Sequence, residues 1–325
     1  MFKRALLLCF AVLPLSLSSL PVHAQSPSFP TKPITLIVPF SPGGALDNVA
    51  RAFAETMKEH IGKPVVVENR PGGNYMVGTR ALLGNAADGY TLMLTTNGMM
   101  SITPVLYANT SFDPLKDFTH VGLVSSYPYV LVSGKGRFPN LETAIKQAKA
   151  KPESVSMAYT GHVTSLSVDL LGSLIDSKML KVPYKGDADA VSDLASERVD
   201  LGMFGPSVAL SLVKGGKLDA LAVTTSTRLS TLEDVPTVNE ASLEGFNIVV
   251  WTGLIAPAGV PEDVVAALQD ALNKSLHDEK FQKHLSRTGD TILPGSTEDF
   301  RKRINDDQNL WRKVMSDAEI EPIES

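Results

Sequence analysis

The sequence predicts an α/β protein of two lobes, built on largely parallel sheets. Three observations predict it. Strand-like and helix-like stretches alternate along most of the chain, as in repeated β-α-β units. Glycine-rich turns recur between a strand and the helix that follows it. The length of 325 residues exceeds what one hydrophobic core commonly supports, since single cores stop growing near ~250–300 residues. With 43% hydrophobic and 20% charged residues, the chain is too apolar for a disordered protein.

Residues 1–24 read as a cleaved signal peptide. Lys3 and Arg4 form its positive start, Ala5 to Leu20 its apolar stretch, and Val22-His23-Ala24 the small-x-small cleavage pattern. A membrane anchor is the alternative, but the stretch is short for a span of ~20 residues and Pro14 interrupts it. The single cysteine, Cys9, leaves with the signal. The exported chain then has no thiol, which suits an oxidising compartment such as the periplasm. It also excludes a disulfide framework, a thiolate metal site and a Cys–His catalytic pair.

The elements follow in order. Pro33–Val38 reads as a buried strand, and Pro39–Gly44 as a turn. Ala45–Ile61 carries Leu46, Val49, Ala50, Phe53, Ala54, Met57 and Ile61 at helical spacing, and Gly62-Lys63-Pro64 stops that helix. Val65–Val67 is a short strand, Met76–Leu83 a helix, and Tyr90–Thr95 a third strand. A second series begins with strand Tyr129–Val132 and helix Leu141–Lys149. It continues with strand Val155–Ala158 and helix Ser165–Leu174, then strand Leu180–Pro183 and helix Ala188–Ser196. Val199–Phe204 and Leu218–Val223 are two more strands, and Ile248–Ala256 is a long one. Pro261–Leu276 is a helix with proline at its first position. Thr297–Met315 is a charged amphipathic helix. No low-complexity linker separates the two series. Interleaved lobes joined by two crossing segments, Tyr127–Val132 and Ile248–Ala256, account for that and make a hinge. The expected lobes are 25–127 with 252–325, and 128–251.

Several function classes lack their signatures. The formal charge is −5, and the Lys/Arg runs are no longer than Arg301-Lys302-Arg303, so no basic face for nucleic acid is expected. No H-E-x-x-H, G-x-S-x-G or Walker lysine pattern occurs. His60, His120, His162, His277 and His284 are scattered without metal-ligand spacing. No catalytic residue, metal or cofactor is expected.

The glycine-rich turns remain. They are Pro39 to Asp47, Asn69 to Met76, Thr95 to Gly98, and Ala158 to Ser165. Glycine lets backbone approach a ligand, and the helix that follows offers free N–H groups and the positive end of its dipole. Such turns bind anions without lysine or arginine. Ligands of open α/β sheets sit beyond the carboxyl ends of strands, so turns from both lobes point to one anion-binding cleft. Ordinary strand–helix connections are the competing reading of each turn taken alone.

At these residues the sequence resembles the Bug family, the periplasmic solute receptors of tripartite tricarboxylate transporters. Four blocks carry the resemblance. They are Phe29–Ile34 running into Val38–Asp47; Val65–Gly73 followed by Asp88–Leu92; Val182–Gly186; and Trp251–Pro261. The resemblance implies a two-lobed type II periplasmic binding protein fold, with a ligand cleft between lobes and a two-strand hinge. It implies a receptor that closes on a small carboxylate and hands it to transporter membrane subunits. It also implies that backbone amides and hydroxyls in Phe40–Asp47 and Tyr159–Ser165 hold the carboxylate. A sensory receptor and, less favoured, an enzyme on the same fold are the alternatives. Two departures stand out. Tyr75 takes the place of the last glycine of an R-P-G-A-x-G block, and Ser165 takes the place of a histidine in the second-lobe loop.

The expected ligand-binding set is Phe40, Ser41, Gly43, Gly44, Asp47, Asn74, Tyr75, Asn97, Thr160, Gly161, His162, Thr164, Ser165 and Phe204. Alternatives stay open for several. Asp47 suits a helix start for the dipole alone. Phe40 lines the cleft or fills the core. Tyr75 fills or stacks in the cleft, or turns outward onto Met76 or Leu106. His162 is a candidate donor to a second carboxylate, strengthened by protonation in mild acid. Lys185 reads as solvated, Trp251 as packing, and Arg70 as the partner of Glu68. An aromatic carboxylate or dicarboxylate is favoured over citrate, with a monomeric protein.

Overall fold

A computed structural model describes residues 29–324 apart from 242 and 318; the signal-peptide reading of 1–24 lies outside the described residues. The first series forms β1 (Ile34–Val38), α1 (Ala45–Ile61), β2 (Val65–Asn69), α2 (Met76–Leu83) and β3 (Thr91–Thr96). A wide helical turn, Gly98–Ile102, then runs into α3 (Thr103–Leu106), and β4 (Phe118–Pro128) leads to the second lobe. That lobe holds β5 (Val130–Gly134), α4 (Leu141–Ala150), β6 (Ser156–Tyr159), α5 (His162–Leu174) and β7 (Leu180–Pro183). It continues through α6 (Asp187–Ala195), β8 (Leu201–Phe204), α7 (Pro206–Lys214) and β9 (Leu218–Val223). The chain returns through β10 (Val249–Pro257), α8 (Glu262–Leu276), α9 (Glu279–Thr288), β11 (Thr291–Ile292) and α10 (Thr297–Asp317).

Two sheets result, ordered β11-β4-β10-β3-β1-β2 and β7-β6-β8-β5-β9. Both are mixed rather than largely parallel. They are parallel where β-α-β units build them, as in β1 with β2 and β3, and β6 with β7 and β8. They turn antiparallel where β4, β5 and β10, the strands leading between lobes, join in. Alternate side chains of the first sheet enter separate cores, so both faces are buried. Leu36, Leu92 and Leu254 pack with Phe53 and Leu268. Ile37, Met93 and Ile255 pack with Trp251 and Phe300 on the other side. The second sheet does the same, with Leu131 and Met203 on one face and Val130 and Phe204 on the other.

The crossings are shorter than expected. One is Tyr129, between β4 and β5. The other falls before Val249, because β10 lies wholly in the first sheet. Thr224 ties the two together. Its N–H donates to Tyr129 O at 3.0 Å, and its hydroxyl donates to Ile248 O at 2.6 Å. The N–H groups of Tyr129 and Ile248 donate back to Thr224, at 2.8 and 3.0 Å. One hydrophobic cluster draws on both lobes, joining Ile102, Leu106, Trp311 and Met315 to Leu166, Leu171 and Met179.

Candidate functional site

The site forms where the starts of α1 and α5 face each other from opposite lobes. At α1, Gly44 is extended and begins the helix. Asp47, in the first turn, accepts from Gly43 N, Arg51 Nε and Asn69 Nδ2, each at 2.9 Å. Burial alone would raise its pKa, but these hydrogen bonds hold it below the usual carboxylate range. Asp47 therefore shapes the turn and binds its own chain. The helix amides of the first turn have no partner within the helix.

Helix α5 starts at His162, earlier than the expected Ser165. The Thr164 hydroxyl explains the early start. It accepts from Thr160 N and Gly161 N at 3.0 and 3.2 Å, curling the loop into the first turn. Ser165 N then closes that turn onto Gly161 O.

His162 does not take the role expected of it. Its Nδ1 lies 2.8 Å from the Thr103 hydroxyl, and its Nε2 lies 3.5 Å from the Tyr107 hydroxyl. Burial pushes its pKa down to about 4, so the ring is neutral in mild acid. Both nitrogens are engaged within the protein, away from the cavity.

Tyr75 turns inward, not onto Met76 or Leu106. It precedes α2 in a left-handed conformation, φ +75°, where glycine is the easy choice. Its ring packs on Phe40 at 5.2 Å between centroids, and its hydroxyl accepts from His162 N at 3.1 Å. Desolvation pushes its pKa up to about 12. Glycine is required opposite. A methyl at Gly98 or Gly161 would meet the phenol oxygen at 2.7 or 2.6 Å.

From the second lobe, Asp187 at the start of α6 reaches across to α1. Its Oδ1 accepts from the Thr160 hydroxyl at 3.1 Å, and its Oδ2 lies 3.5 Å from Ala45 N. Burial raises its pKa, and among the described residues no basic side chain offsets this. Other contacts bring the lobes together, including Asn48 Nδ2 to Ser207 Oγ at 3.4 Å.

A cavity of about 40 Å³ lies between these groups. Of the expected set, Phe40, Ser41, Gly44, Tyr75, Thr160 and Gly161 line it. The others lie off it. Gly43, Asp47, Thr164 and Ser165 build the two turns. Asn74 donates to the Tyr107 hydroxyl at 2.7 Å, and buried Asn97 donates to Val249 O at 3.1 Å. Phe204 is core, packed with Val130 and Val223. Asp187, Tyr127 and Tyr129 line the cavity and were not anticipated. Gly186-Asp187 carries the same strand–glycine–helix signal as the other turns, so that signal was available. Trp251 packs, donating from Nε1 to Asp307 at 2.5 Å, and Arg70 pairs with Glu68. Among the described residues, no group of three His, Cys, Asp or Glu side chains is placed to hold a metal.

The comparisons with known proteins agree with this architecture. The family model for the tripartite tricarboxylate transporter family receptor matches residues 49–320. Protein BugT of Bordetella pertussis is 31% identical over 302 residues, covering 92% of this chain and 92% of BugT. The structure of the periplasmic binding protein BugD superposes with a TM-score of 0.85 at 32% identity, covering 90% of this chain and 99% of that one. That of R. palustris Rpa4515 with adipate gives 0.86 at 30% identity, covering 91% and 100%. Matched over most of its length by both sequence and fold, the chain belongs to the tripartite tricarboxylate transporter receptor family, the two-lobed periplasmic binding proteins.

Proposed function

We propose that this protein captures a small organic carboxylate in the periplasm and delivers it to the membrane subunits of a tripartite tricarboxylate-type transporter. The observation that carries this reading is the convergence of two helix starts, α1 and α5, from opposite lobes on one cavity. Backbone N–H groups and hydroxyls there suit a carboxylate without a basic side chain. The similar structure of R. palustris Rpa4515 is one with adipate. Closure of the lobes about Tyr129 and Thr224 would bring the two helix starts onto the ligand together.

A thermal-shift screen of the exported chain against mono-, di- and tricarboxylates tests this. A solute at a hundredfold its Kd should stabilise the protein by about 2.7 kcal/mol, which is roughly 5–10 °C for lobes of this size. Shifts with neutral sugars or inorganic cations but with no carboxylate would refute the reading. Delivery is tested by uptake of the identified solute in cells with and without the receptor.

A further inference from the structure

The two helices that converge on the cavity each begin at a glycine. Gly44 and Gly161 have no side chain with which to cap α1 and α5, at a position where serine, threonine, aspartate or asparagine usually supplies an acceptor. Acceptors come instead from the opposite lobe. The Tyr75 hydroxyl, from the first lobe, accepts from His162 N, the first helical N–H of α5, at 3.1 Å. Asp187, from the second lobe, sets its Oδ2 at 3.5 Å from Ala45 N, the first helical N–H of α1. Each lobe thus caps a helix of the other.

Other contacts hold both groups in place. The Tyr75 ring packs on Phe40 and stands edge-on to the His162 imidazole, each at 5.2 Å between centroids. Asp187 Oδ1 accepts from the Thr160 hydroxyl at 3.1 Å. A carboxylate at the start of α1 is also favoured by the helix dipole. The cavity beside these contacts, about 40 Å³, has room for only a few waters. We propose that Asp187 and Tyr75 form a reciprocal latch across the cleft, occupying the first N–H of α1 and of α5 until a solute displaces them. The competition with solute rests on the receptor reading above; the contacts across the cleft do not. Only molecules with the latch undone admit the solute, so the latch lowers the apparent affinity by the fraction of time it is shut.

Solution scattering and calorimetric titration of the exported chain test this on wild type, Tyr75→Phe, Asp187→Ala and the double variant. Without added solute, the wild type should scatter as a closed pair of lobes, and the variants should have a larger radius of gyration. With adipate, succinate and benzoate as probes, each single variant should bind at least one of them about threefold or more tightly than wild type, and the double variant about tenfold or more. Tyr75→Phe keeps the ring and changes no charge, so a gain there does not come from lost repulsion. A wild type that scatters as an open pair of lobes overturns the proposal, whether or not the variants fold. So do folded variants that keep the wild-type radius, or that bind the probes no more tightly than wild type does; the receptor reading stands wherever the wild type binds a probe. If the variants open but no carboxylate binds any of the four proteins, the contacts across the cleft stand, and the competition falls with the receptor reading.

Discussion

Tyr75 shows how one side chain sets the size of the site. Its left-handed backbone and its place over Gly98 and Gly161 make it a plug held in the cleft. Tyr75→Gly relaxes the backbone by about 1 kcal/mol but removes a buried ring worth about 2–3 kcal/mol. We expect a folded, slightly less stable protein whose affinity rises for bulky solutes. Titration with benzoate, succinate and citrate checks this, and equal affinities before and after for all three would show that Tyr75 does not select. The buried imidazoles give a second expectation at this scale. His120 and His162 are both pushed down to about 4 by burial. Their folded pKa values lie below the unfolded value, so their stabilisation is full above about pH 6.5 and is lost as pH falls towards 4. Each accounts for up to about 3 kcal/mol. Asp290, pushed up to about 6 by burial, works the other way, as do Asp187 and Asp307, also raised by burial, and together they offset part of the loss. Melting temperature should fall from pH 6.5 to 4.5, and more steeply in Asp290→Asn. A flat profile in both would contradict the assignment. Sequence patterning pointed to the turns but not to the use of each side chain. His162 and Asp47 looked like ligand groups because their partners, Thr103, Arg51 and Asn69, lie far away or look incidental in sequence.

The elements were the most legible part of the sequence. The bounds of α1, α2, β7 and β9 coincide with the expected ones, helped by a glycine or proline at or near one end of each. Shorter and less regular pieces were missed. The Gly98–Ile102 turn with α3, and α7 and β11, carry little independent pattern, and packing decides them; α9 does carry one, with Asp278 as its cap, Gly289 as its stop and buried Phe281 and Leu285 four residues apart. β4 was missed as an eleven-residue strand because Gly122 and two serines break its apolar run. The α1 start offers a direct test. A side chain at Gly44 would begin 3.3 Å from Asp187 Oδ2, at an ordinary backbone conformation. Gly44→Leu should therefore reduce binding by tenfold or more while leaving the melting temperature within a few degrees. Normal titration by this variant would show that the turn only connects β1 to α1. At the other end of the chain, α10 receives the Trp251 indole on Asp307. Trp251→Phe leaves that buried carboxylate short of a donor, which should cost about 1–3 kcal/mol, read as a lower melting temperature.

At the scale of the whole molecule, closeness of the lobes is set by small residues. A methyl at Gly205 would come within 2.4 Å of Ala45 Cβ across the cleft. Gly205→Ala should hold the lobes apart, enlarging the radius of gyration in solution scattering and weakening solute binding by tenfold or more. An unchanged radius with unchanged binding would mean that this contact does not limit closure. The two-lobe plan was readable because each lobe repeats its own β-α-β pattern. The mixed pairing was not, since strand direction depends on how the chain enters a sheet from elsewhere. The shared cluster of Ile102, Leu106, Trp311 and Met315 with the second lobe changes the mechanics of such a plan. Two crossing segments alone make a free hinge, on which every angle is about equally easy. A packed apolar contact beside them acts as a spring: parting the lobes there exposes oily surface at about 25 cal/mol per Å². Parting the lobes at that seam therefore carries a cost that a bare pair of crossing segments would not impose.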